Sequence, residues 1–229
     1  FGGSRFDGTN MLYYGDTWVL NGDQWYKASV TGPSARSGAA MAYDSHRKVV
    51  VLFGGTETAG YSTDGTWEWD GSEWTNVVTV SPEPGTGQMV YDTAAEKMIY
   101  YDSVSRKTFS YDGQTWELLA ENGPQRNGFR MVYNSIEGSV LISGGINTST
   151  YTFSNDLLKF NGSSWSVASN SPVAFKDHVI WHNPSSDTLF LAFGSYEYEG
   201  AFNTKLASFS NNSWKTASFS TVSSYNIAL

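Results

Sequence analysis

Three histidines, two similarly placed arginines and a set of tyrosines between apolar runs are the residues of this chain that could do chemistry. His178 and His182 lie four apart on an expected strand, so they face one side. Strand rise separates them by roughly 13 Å, too far to share one metal ion. His46 falls in an expected exposed turn, Ser45-His46-Arg47-Lys48. All three are therefore expected to be solvated or structural. No zinc-protease motif, nucleophile elbow, phosphate loop or calcium loop is present. The chain has no cysteine, which removes thiolate metal sites and a disulfide framework. No catalytic residue, metal or cofactor is expected.

Arg36 and Arg126 each precede an expected strand by a few residues, near the expected mouth of a central channel. They either hold an anion or pair with a neighbouring carboxylate. The long segments between apolar runs collect Phe6, Tyr13, Tyr14, Tyr61, Tyr151, Phe153, Tyr196, Tyr198 and Phe202, with Glu57, Glu197 and Glu199 as acceptors. Tyrosine gives a large contact area at low entropic cost, so such loops suit stacking on sugar rings or anchoring a protein partner. The bland alternative is that these rings only pack the loops onto their scaffold. The candidate ligand-binding residues are Tyr61, Tyr151, Tyr196, Tyr198, Glu197, Arg36 and Arg126.

What positions them is legible in the composition and the repeat. The chain has 229 residues, 23 of them Gly and nine Trp, with a formal net charge of −8. Short strands and tight turns follow from that composition. Fourteen scattered Lys and Arg make no phosphate-tracking surface, so nucleic acid is not an expected partner. No apolar stretch approaches the ~18 residues of a membrane span. The chain begins at Phe1-Gly2-Gly3, inside a motif, which suggests a removed leader or a trimmed chain.

Five tryptophans, Trp25, Trp74, Trp116, Trp165 and Trp214, follow at intervals of 49, 42, 49 and 49 residues. Met41-Ala42-Tyr43-Asp44, Met89-Val90-Tyr91-Asp92, Met131-Val132-Tyr133-Asn134 and Val179-Ile180-Trp181-His182 keep step with them. So do apolar runs ending at Gly55, Asp102, Gly145 and Ser195. Each unit reads as four short strands, the last carrying the phased Trp. Asn21-Gly22, Asp70-Gly71, Asp112-Gly113 and Asn161-Gly162 predict hairpins with positive φ at both turn positions, and Asn211-Asn212 tolerates the same geometry. The approximate units are 1–35, 36–83, 84–125, 126–173 and 174–219, with 220–229 a possible ring-closing strand. A four-stranded sheet cannot cover both of its faces alone, so the sheets are expected to stack radially with Trp between them.

These residues resemble the Kelch repeat: a double Gly after an apolar strand, then an aromatic, then a Trp at fixed spacing over about 50 residues. Pro33 to Gly38, Val51 to Gly55 and Gly65 to Gly71 look especially like bacterial and archaeal members. The resemblance spans nearly the whole chain. It implies an all-β, Kelch-type β-propeller of four-stranded antiparallel blades, either of about five blades or part of a six- or seven-bladed ring. Tyr101-Asp102 and Gly194-Ser195 stand where Gly-Gly is expected, and are expected to weaken their blades. Galactose oxidase has a Kelch-like propeller and a Tyr–Cys copper centre, which a chain without Cys cannot build.

The expected function is a non-catalytic interaction module that binds a protein through its long second-to-third-strand loops. A carbohydrate-binding propeller of a cell-surface protein is the alternative, and a sugar-processing enzyme of mutarotase type a third. An extracellular or surface location within a larger assembly is expected. Asn147, Asn161 and Asn211 fit the glycosylation sequon.

Overall fold

The computed structural model describes residues 1–28, 30–58, 60, 65–77, 80–174, 178–196 and 202–219. It contains strands and turns and, among the described residues, no helix. The chain forms two compact units, Phe1–Gly123 and Pro124–Leu229.

The first unit holds β1 (Ser4–Phe6), β2 (Met11–Tyr13), β3 (Thr17–Asn21), β4 (Gln24–Ala28), β5 (Ala40–Asp44), β6 (Val49–Phe53), β7 (Thr66–Trp69), β8 (Trp74–Val77), β9 (Gly87–Asp92), β10 (Lys97–Asp102), β11 (Lys107–Tyr111) and β12 (Trp116–Ala120). β1–β2 and β3–β4 are two-stranded, while β5–β8 and β9–β12 are four-stranded antiparallel meanders. The second unit holds β13 (Arg126–Asn127), β14 (Arg130–Asn134), β15 (Ser139–Ser143), β16 (Ile146–Asn147), β17 (Asp156–Phe160), β18 (Trp165–Asn170), β19 (His178–Asn183), β20 (Thr188–Tyr196), β21 (Phe202–Ser210) and β22 (Ser213–Phe219). Its four-stranded meanders are β14-β15-β17-β18 and β19–β22, and β13 pairs with β16 alone.

The second strand of each meander is the apolar core. Val51, Leu52 and Phe53 in β6, and Val140, Leu141 and Ile142 in β15, are all buried. A strand buried on both faces can be continuously apolar rather than alternating. Successive sheets lie side by side within each unit, β5 along β9 and β14 along β19.

The phased Trp has a defined task. Trp74 Nε1 donates to Thr17 Oγ1 of the preceding sheet at 2.9 Å, and Trp116 Nε1 to Thr66 Oγ1 at 2.9 Å. In the second unit, Leu157 takes the place of Thr66. Trp214 Nε1 there donates to Ser169 Oγ at 3.0 Å, from the residue paired with Leu157. Each indole therefore buries its ring between two sheets and finds an acceptor there, as a buried N–H must. Trp25 departs from the expectation. It is 62% exposed, with Trp18 and Leu20 on the same face, which no sheet among the described residues of its unit covers.

Two further expectations are corrected. The β7–β8, β11–β12 and β17–β18 hairpins are not two-residue turns with positive φ at both positions. Their loops hold four residues, and only Gly71, Gly113 and Gly162 take positive φ. The leading Asp70, Asp112 or Asn161 instead accepts the N–H groups two and three residues on, at 2.7–3.0 Å. An Asx side chain replaces the second left-handed residue. Asn211 and Asn212, at φ 48° and 55°, do form the two-residue turn.

Tyr101-Asp102 does not weaken its sheet. Tyr101 is fully buried, and Asp102 accepts from the N–H groups of Val104 at 3.0 Å and Ser105 at 3.1 Å. With Arg106 at φ 60°, β10 and β11 join by a tight turn. The sheet thus has no long loop at the place where other units carry one.

Candidate functional site

The long second-to-third-strand connections of β5–β8 and β14-β15-β17-β18 leave the end of the sheet opposite the short turns. In the second unit this connection starts at Gly144-Gly145, both at positive φ (57° and 88°). A Cβ on Gly145 would sit 2.6 Å from the Asn127 carbonyl oxygen, so the backbone approach requires Gly. That approach lets β16 pair with β13, Arg126 opposite Asn147 and Asn127 opposite Ile146. Arg126 is 6% exposed. Its Nη1 donates to the Gly144 carbonyl at 3.3 Å, and its Nη2 pairs with Asp156 Oδ2 at 2.5 Å. Its guanidinium braces both ends of the loop from below.

The loop above is held by its own hydrogen bonds. Asn147 Oδ1 accepts from the N–H groups of Ser149 (2.9 Å) and Thr150 (3.1 Å), and the Asn147 carbonyl accepts from Tyr151 N–H at 2.8 Å. Ser149 Oγ donates to Gln125 Oε1 at 2.6 Å, and Ser154 N–H to the Gly145 carbonyl at 2.9 Å. Tyr151 closes this turn at φ 56° with its side chain in solvent, the residue being 83% exposed. Phe153, two residues on, is 54% exposed. A left-handed residue closing a turn is ordinarily Gly or Asn.

In the first unit Arg36 has the matching place and a matching bond, Nη1 to the Gly54 carbonyl at 3.0 Å. Its Nε and Nη2 donate to the Ser34 carbonyl (3.1 Å) and Ser34 Oγ (2.8 Å), and Ser34 Oγ donates in turn to Glu57 Oε1. Arg36 is 2% exposed. Both arginines are thus committed to loop backbone and to neighbouring side chains.

The segment 4–15, expected as a loop, forms the β1–β2 hairpin. Phe6 faces Met11 across it and Arg5 faces Leu12. Asp7 Oδ1 accepts from the N–H groups of Thr9 and Asn10, each at 2.8 Å, and closes the tip. These hydrogen bonds to the charged form lower the Asp7 pKa. Phe6, Met11, Leu12 and Tyr14 are exposed. Met11 and Leu12 escaped the sequence reading because a three-residue strand carries too little alternation to register.

Of the remaining expected residues, Tyr61, Glu197, Tyr198 and Glu199 lie outside the described residues, as does the tail 220–229. Tyr196 ends β20. Asn161 and Asn211 stand on exposed hairpin tips, whereas Asn147 is half-buried in β16. His178 is buried, with Nε2 2.7 Å from Ser143 Oγ, a side chain that is itself fully buried. His182 Nε2 lies 3.1 Å from Asp187 Oδ1, and His46 pairs with Glu96 at 3.3 Å. No group of three metal-ligating side chains occurs among the described residues.

No protein-family model matches the sequence, and no curated protein does. Among solved structures, that of YjhT superposes with a TM-score of 0.67 over 93% of this chain and 82% of that one, at 12% identity. That likeness shows a shared all-β fold.

Proposed function

We propose that this chain is a Kelch-type β-propeller of about five blades, or part of a larger ring. We further propose that it works as a non-catalytic interaction module, with a protein partner docking on the long second-to-third-strand loops. The observation that carries the functional reading is Tyr151. A non-glycine left-handed residue costs about 1–2 kcal/mol, and an exposed ring gains almost no burial to offset it. Lys48, Glu96 and Arg106 take the same conformation in turns, so the weight falls on exposure: a hydrogen-bonded loop that holds an aromatic ring in solvent suits a use outside the fold. Tyr151 and Phe153, two residues apart and both exposed, offer the aromatic contact that interface anchors provide.

The test is site-specific photo-crosslinking. A benzoyl-phenylalanine at position 151, and a control at exposed Val167 on β18, are irradiated in extracts of the source cells. The expected result is a discrete adduct from 151 that is absent from 167 and lost when Phe153 is changed to Ala. Equal adducts from both positions would overturn the reading. So would binding on a glycan array that needs Tyr151, which would move the site to the carbohydrate class.

A further inference from the structure

We propose that the cleft between the β14-β15-β17-β18 sheet and the β19–β22 sheet binds a guanidinium, the arginine side chain of a partner protein. It opens at the short-turn end of the second unit, opposite the Tyr151 loop, and the inference does not depend on that loop.

The argument comes from the corresponding cleft of the first unit, between β5–β8 and β9–β12, where the chain fills the space itself. Arg47 leaves the β5–β6 turn and lays its guanidinium 5.6 Å from the centre of the Tyr111 ring. Nε pairs with Asp44 Oδ2 at 2.8 Å and Nη1 with Glu68 Oε1 at 2.5 Å. Tyr111 OH donates to the same Glu68 oxygen at 3.0 Å. Gly113 gives the room, since a Cβ there would lie 2.8 Å from the guanidinium carbon. A planar cation over an aromatic face, held by carboxylates at its edge, is a favourable desolvated arrangement.

Strand register identifies the equivalents in the second unit. Asp44 opposite Val49 corresponds to Asn134 opposite Ser139, which makes Glu137 the equivalent of Arg47. Val51 opposite Glu68 corresponds to Leu141 opposite Lys159. Tyr111 opposite Trp116 corresponds to Phe209 opposite Trp214. The two charges have exchanged strands. Glu137 and Lys159 meet at 2.8 Å, their side chains 48% and 38% exposed, while Arg47 is 26% exposed. Among the described residues no cation lies where Arg47 lies, and a cavity of about 290 Å³ remains, lined by Leu141, Leu189 and Phe209.

The cavity keeps the aromatic ring that faces Arg47, while Asn134 and Lys159 replace the two carboxylates that hold it and carboxylates stand instead at Glu137 and Asp187. Phe209 supplies the ring. Glu137 and Asp187 supply carboxylates at the mouth. Asp187 Oδ1 is held by Asn134 Nδ2 (3.3 Å) and His182 Nε2 (3.1 Å). Among the described lining residues Lys159 is the one cation, and it is paired with Glu137. The volume stands at the small end of ligand pockets, about 300–1,000 Å³. One side chain fits it better than a cofactor or an oligosaccharide, so the guanidinium is assigned to a protein partner.

The experiment titrates the whole chain with N-acetyl-arginine methylamide, and with the lysine and glutamate counterparts, reading the backbone amide resonances of Asp187, Phe209 and Asn211. The arginine probe is expected to shift these amides and to bind about 10-fold more tightly than either counterpart. Asp187→Asn is expected to weaken it about 5-fold, and Lys159→Gln to strengthen it about 2-fold. Glu137→Arg combined with Lys159→Glu rebuilds the Arg47–Glu68 arrangement and is expected to raise Tm and abolish the shifts. Preference for the glutamate probe with weakening by Lys159→Gln would make this an anion site and overturn the proposal. Equal affinity for arginine and lysine probes, or no shift in the folded wild type, would overturn it as well.

Discussion

Thr66→Val tests whether the phased Trp locks neighbouring sheets through a hydrogen bond or only through ring packing. Thr66 is fully buried, and its Oγ1 accepts the Trp116 indole N–H at 2.9 Å. Valine keeps the shape of threonine, so no cavity opens, but the indole N–H loses its acceptor. Leaving a buried donor unpaired costs about 1–3 kcal/mol. Trp116 is only partly buried, and the new methyl gains some burial, so a loss of about 1–2 kcal/mol is expected. In a unit of this size that is a Tm drop of roughly 3–10 °C, read by thermal and urea melts followed by circular dichroism. Trp116→Phe removes the same bond from the other side. The double variant should therefore be less destabilised than the sum, with a coupling of about 1 kcal/mol. Thr17→Val should cost more, because its partner Trp74 is only 8% exposed. Additive costs, or a neutral Thr66→Val beside a damaging Thr66→Ser, would refute the hydrogen-bond lock.

Two other outcomes follow from the geometry. Burial pushes the Asp44 carboxyl up, but the backbone N–H and guanidinium of Arg47 outweigh it, and its pKa is lowered overall. A lowered folded-state pKa contributes stability above the unfolded value of about 3.9 that is lost as pH falls through the folded value. Asp44→Asn keeps the turn acceptor that Asn134 supplies elsewhere. It should lower Tm at pH 7 and flatten the decline between pH 5 and 3. Gly145→Ala, at φ 88° and 2.6 Å from the Asn127 carbonyl, should cost more than Gly138→Ala, at φ 60° with only the Tyr133 hydroxyl, 3.9 Å away, within 4 Å of its Cβ. The excess, about 1–3 kcal/mol, should appear with lost hydrogen-exchange protection at Asn147 if the Gly145 approach holds β16 on β13.

The repeated sheets were legible because their signals are local and periodic. Trp74, Trp116 and Trp214 share a phase, and β6 and β15 are apolar runs between turns. The Asp or Asn that ends each first strand was legible as a pattern, though its task was not. Asp44, Asp92 and Asn134 each accept the N–H groups two and three residues on, which sets the β5–β6, β9–β10 and β14–β15 turns. The same chemistry at Asp102 converts a loop into a hairpin, and as a single departure from the repeat it read as a defect.

The sequence alone determined the strand-and-turn class and the repeated pattern, since strand period and turn chemistry act over a few residues. Tertiary structure decided the rest, because the partners are far apart in the chain. Arg126 could have faced an anion, and it faces Asp156. Tyr151 could have packed inward, and a left-handed turn holds it in solvent. The exchange of Arg47–Glu68 for Glu137–Lys159 leaves one cleft filled and the other open. That difference appears only when strand register lays β6 against β7 and β15 against β17, and when the next sheet closes each cleft with an aromatic ring.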